Sequence, residues 1–205
     1  MTMMTRRTLG ASAVALLFAA SFAAAQAPQT VRVRATLENV SVPMLTAKAR
    51  DGAEMKIKLA DNAPVNEVVK ASLTDIKADS YIAVTAMPQP DGSQKAVAIL
   101  IFPEAMRGVG EGHRPWDLEP NSTMTNATVA EQVAGTDGQT VTVKYKDGDK
   151  KIIVGPDVPI VRYEVADLSA LKPGVAFSVL AAVKTPDGSY DIKRINVGRD
   201  GVIPR

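Results

Sequence analysis

One short stretch, Gly108 to Asn121, concentrates the side chains with which this 205-residue chain could do chemistry. It holds Glu111, the only histidine (His113), Arg114, the only tryptophan (Trp116) and Asp117, with Arg107 immediately before it. Imidazole and carboxylate groups ligate divalent metals or move protons, so His113, Glu111 and Asp117 form a candidate metal site or general base. An indole among guanidinium and carboxylate groups is also the composition of a binding strap, in which Arg107, Glu111, His113, Arg114, Trp116 and Asp117 all take part. Gly108, Gly110, Gly112, Pro115 and Pro120 interrupt any continuous helix, so His113 and Asp117 do not share a helical face. A structural zinc site takes four ligands and a catalytic one three plus water; one histidine with loop carboxylates supplies fewer. The expectation is therefore structural: Trp116 buries its ring between two folded units and Pro115 and Pro120 stiffen the crossing. Arg107 or Arg114 then pairs with Glu111, Asp117 or Glu119. A divalent metal on His113, Glu111 and Asp117 is the alternative.

Other chemistries find less to work with. The chain has no cysteine, hence no thiolate nucleophile, no disulfide framework and no lipid-attachment cysteine. No Gly-x-Ser-x-Gly elbow and no phosphate-cradling glycine loop occurs. No catalytic residue and no cofactor are expected; an envelope hydrolase is the weakest reading. Met44, Met55, Met87, Met106 and Met124 are scattered as core filler would be, not clustered as copper ligands. The 24 basic and 22 acidic residues become equal in number once Arg6 and Arg7 are set aside. Nucleic-acid binding rests on neutralising phosphates, and a neutral chain speaks against it. Stacking platforms need aromatics beside a basic groove, whereas Tyr81 and Phe177 sit in strand positions that read as core. Lys144, Lys146, Lys150 and Lys151 read as the solvated face of a hairpin. Two glycosylation-type acceptors, at Asn121 and Asn126, carry no expected function.

The elements that must position the block follow from the rest of the chain. Arg6 and Arg7 precede an uncharged apolar run, Leu9 to Ala25, ending in small residues, which marks residues 1–27 as an export signal. Cleavage after Ala25 or Ala27 fits, and Thr5-Arg6-Arg7-Thr8-Leu9-Gly10 resembles a twin-arginine signal. The periplasm or the extracellular space is the expected location. No later run approaches the twenty or so apolar residues that cross a bilayer as a helix.

The remainder reads as a tandem repeat. Ala35 to Val40 overlays Ala127 to Val133, and Leu45 to Leu59 overlays Val141 to Val154. Asn62 to Val65 overlays Asp157 to Ile160, Ala71 to Ser80 overlays Ala166 to Val175, and Pro-Asp-Gly-Ser recurs at 90–93 and 186–189. Small turn insertions such as Thr136-Asp137-Gly138 account for the drift in spacing. Each unit has strand grammar: Met55 to Leu59 and Val141 to Tyr145 alternate with period two. Tyr81 to Met87, Ala176 to Val183, Lys95 to Phe102 and Asp191 to Val197 supply the later strands. Asp-Gly pairs at 51, 91, 147 and 187 suit hairpin turns. A single helical turn, capped by Ser72 with Asp75 or by Asp167, separates the third and fourth strands. The expectation is an all-β protein of two tandem small five-stranded OB-like barrels, each with one short helical turn. The first barrel is expected over 28–103, a Gly/Pro-rich linker over 104–123 and the second barrel over 124–205.

With Phe102-Pro103-Glu104-Ala105-Met106-Arg107-Gly108 and Gly110-Glu111-Gly112-His113-Arg114-Pro115-Trp116-Asp117-Leu118 between two such units, the chain resembles a family of exported bacterial proteins. The resemblance covers nearly all of the chain after its signal and implies duplicated OB-like barrels around this linker. It implies no catalytic residues. Members often carry the label "metal ABC transporter permease", which would make a soluble partner of metal transport the alternative function; a permease itself needs several membrane-spanning helices. The function expected is a non-catalytic binding or interaction module of the cell envelope, with an envelope protein or small molecule as partner and no nucleic acid.

Overall fold

The computed structural model describes residues 29–135 and 138–205; the export signal expected over 1–27 and the insertion at Thr136 and Asp137 lie outside the described residues. Strands account for 58% of the described residues, among which helix is confined to three single 3₁₀ turns. In chain order the strands are β1 (Thr30–Ser41), β2 (Met44–Ala49), β3 (Glu54–Leu59), β4 (Val65–Ala71), β5 (Tyr81–Pro88), β6 (Gln94–Ile101) and β7 (Gly112–Pro115). They continue as β8 (Thr123–Gly135), β9 (Gly138–Tyr145), β10 (Gly148–Val154), β11 (Ile160–Ala166), β12 (Ala176–Lys184), β13 (Tyr190–Ile192) and β14 (Ile195–Gly198).

Local chemistry places the turns where the sequence puts them. Gly52, Gly92 and Gly188 take positive φ between β2 and β3, β5 and β6, and β12 and β13. The two Pro-Asp-Gly-Ser turns are built alike. Asp91 Oδ1 accepts from the backbone N–H of Ser93 at 3.0 Å and its hydroxyl at 2.6 Å, and Asp187 Oδ1 from the same groups of Ser189 at 3.2 and 2.9 Å. The carboxylate of Asp75 accepts from the Ser72 backbone N–H at 2.7 Å and hydroxyl at 2.8 Å, and Asp167 accepts from the Ser169 N–H at 2.7 Å. Each cap satisfies donors that a short 3₁₀ turn leaves without partners.

The strands close two five-membered rings. In the first, β1 pairs with β2, β2 with β3, β3 runs parallel to β13, β13 pairs with β12, and β12 returns to β1. In the second, β8 pairs with β9, β9 with β10, β10 runs parallel to β6, β6 pairs with β5, and β5 returns to β8. Both have the strand order of an OB barrel, with one parallel contact between its third and fifth strands. The alternation seen in the sequence is obeyed inside each ring. Leu37, Leu45, Ile57, Phe177 and Ile192 fill the first, while Ile82, Val84, Ile99, Val141 and Ile152 fill the second.

Each ring takes its first three strands from one part of the chain and its last two from the other. The expected boundaries, one barrel within 28–103 and one within 124–205, therefore do not describe how the strands close. The reason is a strand the sequence reading lacked in each half. After β3 the chain enters β4 instead of turning back, and a seven-residue strand advances about 23 Å, far enough to leave one barrel for the other. β11 makes the return crossing. The two crossing strands lie antiparallel over their whole length, Val65 opposite Ala166 and Ala71 opposite Ile160. They are extended on either side by the parallel neighbours β14 and β6, so a continuous sheet runs through both barrels. The registers correspond across the halves: Thr36 faces Ala176 in the first ring as Thr128 faces Tyr81 in the second. The last expected strand of the second half is also interrupted, as β13 and β14.

Candidate functional site

The Gly/Pro-rich block becomes a clasp. Its first turn, Glu104–Met106, leads to Arg107, whose guanidinium holds Glu104 (2.5 and 2.7 Å) and reaches the backbone carbonyl of Asp79 at 2.8 Å. The Val109 carbonyl accepts from the hydroxyl of Tyr81 (3.2 Å) and the amide of Asn126 (2.9 Å). Gly110 must be glycine here, with φ at +60° and a would-be Cβ only 3.1 Å from the Asn126 amide nitrogen. β7 then adds to the outer edge of β8, Gly112 facing Asn126 and Pro115 facing Thr123. The expected extended strap is thus a paired strand over 112–115.

Beyond β7 the chain crosses to the other barrel. The Trp116 ring lies half-buried with the Arg32 guanidinium 3.8 Å from its centroid, and Arg114 flanks it at 5.7 Å. Asp117 accepts from Arg34 at 3.0 Å and pairs with Arg32 at 3.2 Å, both on β1. Burial alone would raise the Asp117 carboxyl, but Arg34 and Arg32 together hold it below the ordinary carboxylate range. A strand fixed to the second barrel is in this way fastened to the first by an indole and a carboxylate.

The pairings expected within the block do not form. Asp117 takes its cations from β1 and not from Arg107 or Arg114, because the crossing carries it to the other barrel. Arg114 donates to the Gly110 carbonyl at 2.7 Å, and Glu111 accepts the backbone N–H of Lys146 at 2.9 Å. His113 meets the Thr125 hydroxyl through Nδ1 at 2.8 Å. Partial burial, then Lys150 and Arg114 nearby, hold His113 below its ordinary value. The structure does not bring His113, Glu111 and Asp117 together, and no group of three metal-ligating side chains occurs among the described residues. Of the methionines, Met124 is buried and Met44 exposed. The β9–β10 hairpin leaves Lys144, Lys146 and Lys151 exposed, and Phe177 and Tyr81 are buried as their strand positions imply.

A second feature carries no sequence motif. A cleft of about 500 Å³ lies between the outer wall of the second barrel and the crossing strands. Ala83 and Thr85 of β5, Ala98 and Leu100 of β6 and Met124 of β8 form one wall; Val68, Val161 and Tyr163 of β4 and β11 form another. The segment Gly201–Arg205 after β14 forms the third. It reaches this place because Val202 folds back over Gly198, where an added Cβ would stand 1.7 Å from the Val202 carbonyl oxygen. Arg199 anchors the fold-back by bonding Glu67 of β4 at 2.9 Å and Glu164 of β11 at 2.6 Å. The cleft is apolar within. Its only charged lining side chains, Lys70 and Arg205, are both exposed, and no acidic side chain lines it. Tyr163 stacks edge-on against Phe102 at 5.8 Å, and burial pushes its hydroxyl up to about 12, so it remains protonated.

The sequence held one signal for this site. Tyr81 to Met87 and Ala96 to Phe102 are apolar on both faces, which means that something covers the outside of that barrel. No helix among the described residues is long and apolar enough to cross a membrane. Set against known proteins, the chain matches no family model, no curated protein and no solved structure.

Proposed function

We propose that this chain is an exported, non-catalytic binding module of the bacterial cell envelope, and that the cleft between the second barrel and the crossing strands is where it binds. The observation that carries the reading is the cleft itself. It falls within the 300–1,000 Å³ typical of small-molecule sites, and its lining is mostly apolar with few polar side chains. The Gly108–Asn121 block supports the reading by what its side chains are already engaged in. Arg107, Glu111, Arg114, Trp116 and Asp117 each make contacts that hold the two barrels and the strap in place. The matching registers of the two rings support descent of both from one duplicated unit, as the recurrent Asp-Gly and Pro-Asp-Gly-Ser turns do. The resemblance of the linker to an exported family and the export-type first 27 residues favour the envelope. A metal-handling accessory draws no comparable support, since Glu111 and Asp117 point to different partners.

Native mass spectrometry of the protein purified from its own envelope tests the proposal. A retained small apolar molecule that is absent from an Ala98→Trp variant is the expected result. A uniformly unliganded mass that also fails to take up an apolar fluorophore would contradict it.

A further inference from the structure

The cleft has a chemical polarity that narrows what it takes. Its floor is made of alanines and aliphatic side chains turned outward from the second barrel, Ala83 and Ala98 being small enough to leave the room. Surfaces of this kind favour a chain without polar groups, because burying each CH₂ removes apolar surface from water. A methylene occupies about the volume of one water, roughly 30 Å³, so the cleft accommodates on the order of ten to sixteen carbons. Both charged side chains of the lining are positive, Lys70 on β4 and Arg205 on the folded-back segment, and neither side chain takes part in an ion pair among the described residues. Two other cations on or beside the crossing strands are engaged, Arg199 by Glu67 and Glu164 and Arg162 by Glu164. Tyr163, which also lines the cleft, keeps its hydroxyl proton at every physiological pH.

Resting on the reading of the cleft as the binding site, we infer that its ligand is a single-chain amphiphilic carboxylate, with its acyl chain along Ala83, Ala98, Leu100 and Val161 and its head group at Lys70 and Arg205. A carboxylate there forms charge-assisted hydrogen bonds that a neutral head group does not. The second barrel provides the site and its counterpart differs at two of the lining positions, which are polar in the first barrel. Ser178 stands where the second barrel has Ala83, and Asn196, bonded to Asn66 at 2.9 Å, where it has Leu100.

The test titrates the whole processed chain with dodecanoate and with dodecanol below their aggregation limits, followed by calorimetry. Dodecanoate is expected to bind roughly tenfold more tightly than dodecanol. In a Lys70→Glu/Arg205→Glu variant that advantage disappears, whereas dodecanol binds as before. Ala98→Trp, which places a large ring in the void at a partly exposed position, removes binding of both while melting close to the parent. Equal affinity for acid and alcohol overturns the carboxylate assignment and leaves the cleft standing as an apolar site. Binding of neither, by a folded chain, overturns the cleft as the site. Recruitment to phosphatidylglycerol vesicles without uptake of free dodecanoate overturns the single-chain ligand.

Discussion

At the scale of single residues, the chain's only indole and only imidazole sit three positions apart and do different work. Trp116 brings its ring against Arg32 across the seam, an arrangement worth about 0.5–1 kcal/mol at a solvent-accessible site beyond the area it buries. Trp116→Ala is expected to cost about 1–3 kcal/mol in a denaturant melt. His113→Ala, losing one hydrogen bond on an exposed edge strand, is expected to melt close to the parent; equal melts for both variants would remove the clasp. The turn carboxylates carry a pH signature. Asp91 and Asp187 are held below the ordinary range chiefly by hydroxyl donors, Ser93 for Asp91 and Thr185 for Asp187. A depressed folded value means that the unfolded chain takes up the proton first as pH falls. The stabilisation is complete above about pH 4 and is lost as pH drops through the lower folded values. An Asp91→Asn/Asp187→Asn variant should therefore melt below the parent at pH 6, and the gap should narrow by pH 2. A gap that persists unchanged at pH 2 contradicts the assignment.

At the scale of elements, the exchanged strands couple parts of the chain that are far apart in sequence. Phe177 of β12 is fully buried among Leu37, Leu45 and Ile57 of β1, β2 and β3. Phe177→Ala should cost about 3–5 kcal/mol. Amide exchange should show protection falling in β1–β3 more than in β5 and β6, which lie closer in the chain to those strands than β12 does. Loss confined to 176–197 would argue that the strands are not exchanged. The same coupling explains what could be read beforehand. Hairpin turns, capped 3₁₀ turns and the alternation of β3 and β9 depend on residues near one another, and the sequence displays them. β4 did not announce itself, because Val65, Asn66, Val68 and Val69 are all buried and a strand covered on both faces loses its period of two. Alternation also specifies which face of a strand is buried and not which strand lies beside it. β12 satisfies the edge of β1 as well as β5 would, so the choice was not written in either pattern.

At the scale of the whole molecule, crossing is what creates the candidate site. If each half closed on itself, β4 and β11 would not be paired along their length, and the ribbon that faces the second barrel's outer wall would be missing. Rare side chains cluster in the motif-rich block, yet their partners lie on β1, β5, β8 and the β9–β10 turn, a distribution that spacing along the chain does not encode. The cleft has no such signature in the sequence: Ala83, Ala98 and Val161 are unremarkable one by one and make a site only when three separate parts of the chain meet.

The interchange of strands between the halves is the claim on which the clasp, the cleft and its ligand all depend. Producing residues 28–103 and 104–205 as separate polypeptides and following each by circular dichroism and thermal melting tests it most directly. Neither piece alone should show a cooperative transition, and mixing them should restore one; a cooperative melt from either piece by itself would mean that each half closes its own barrel.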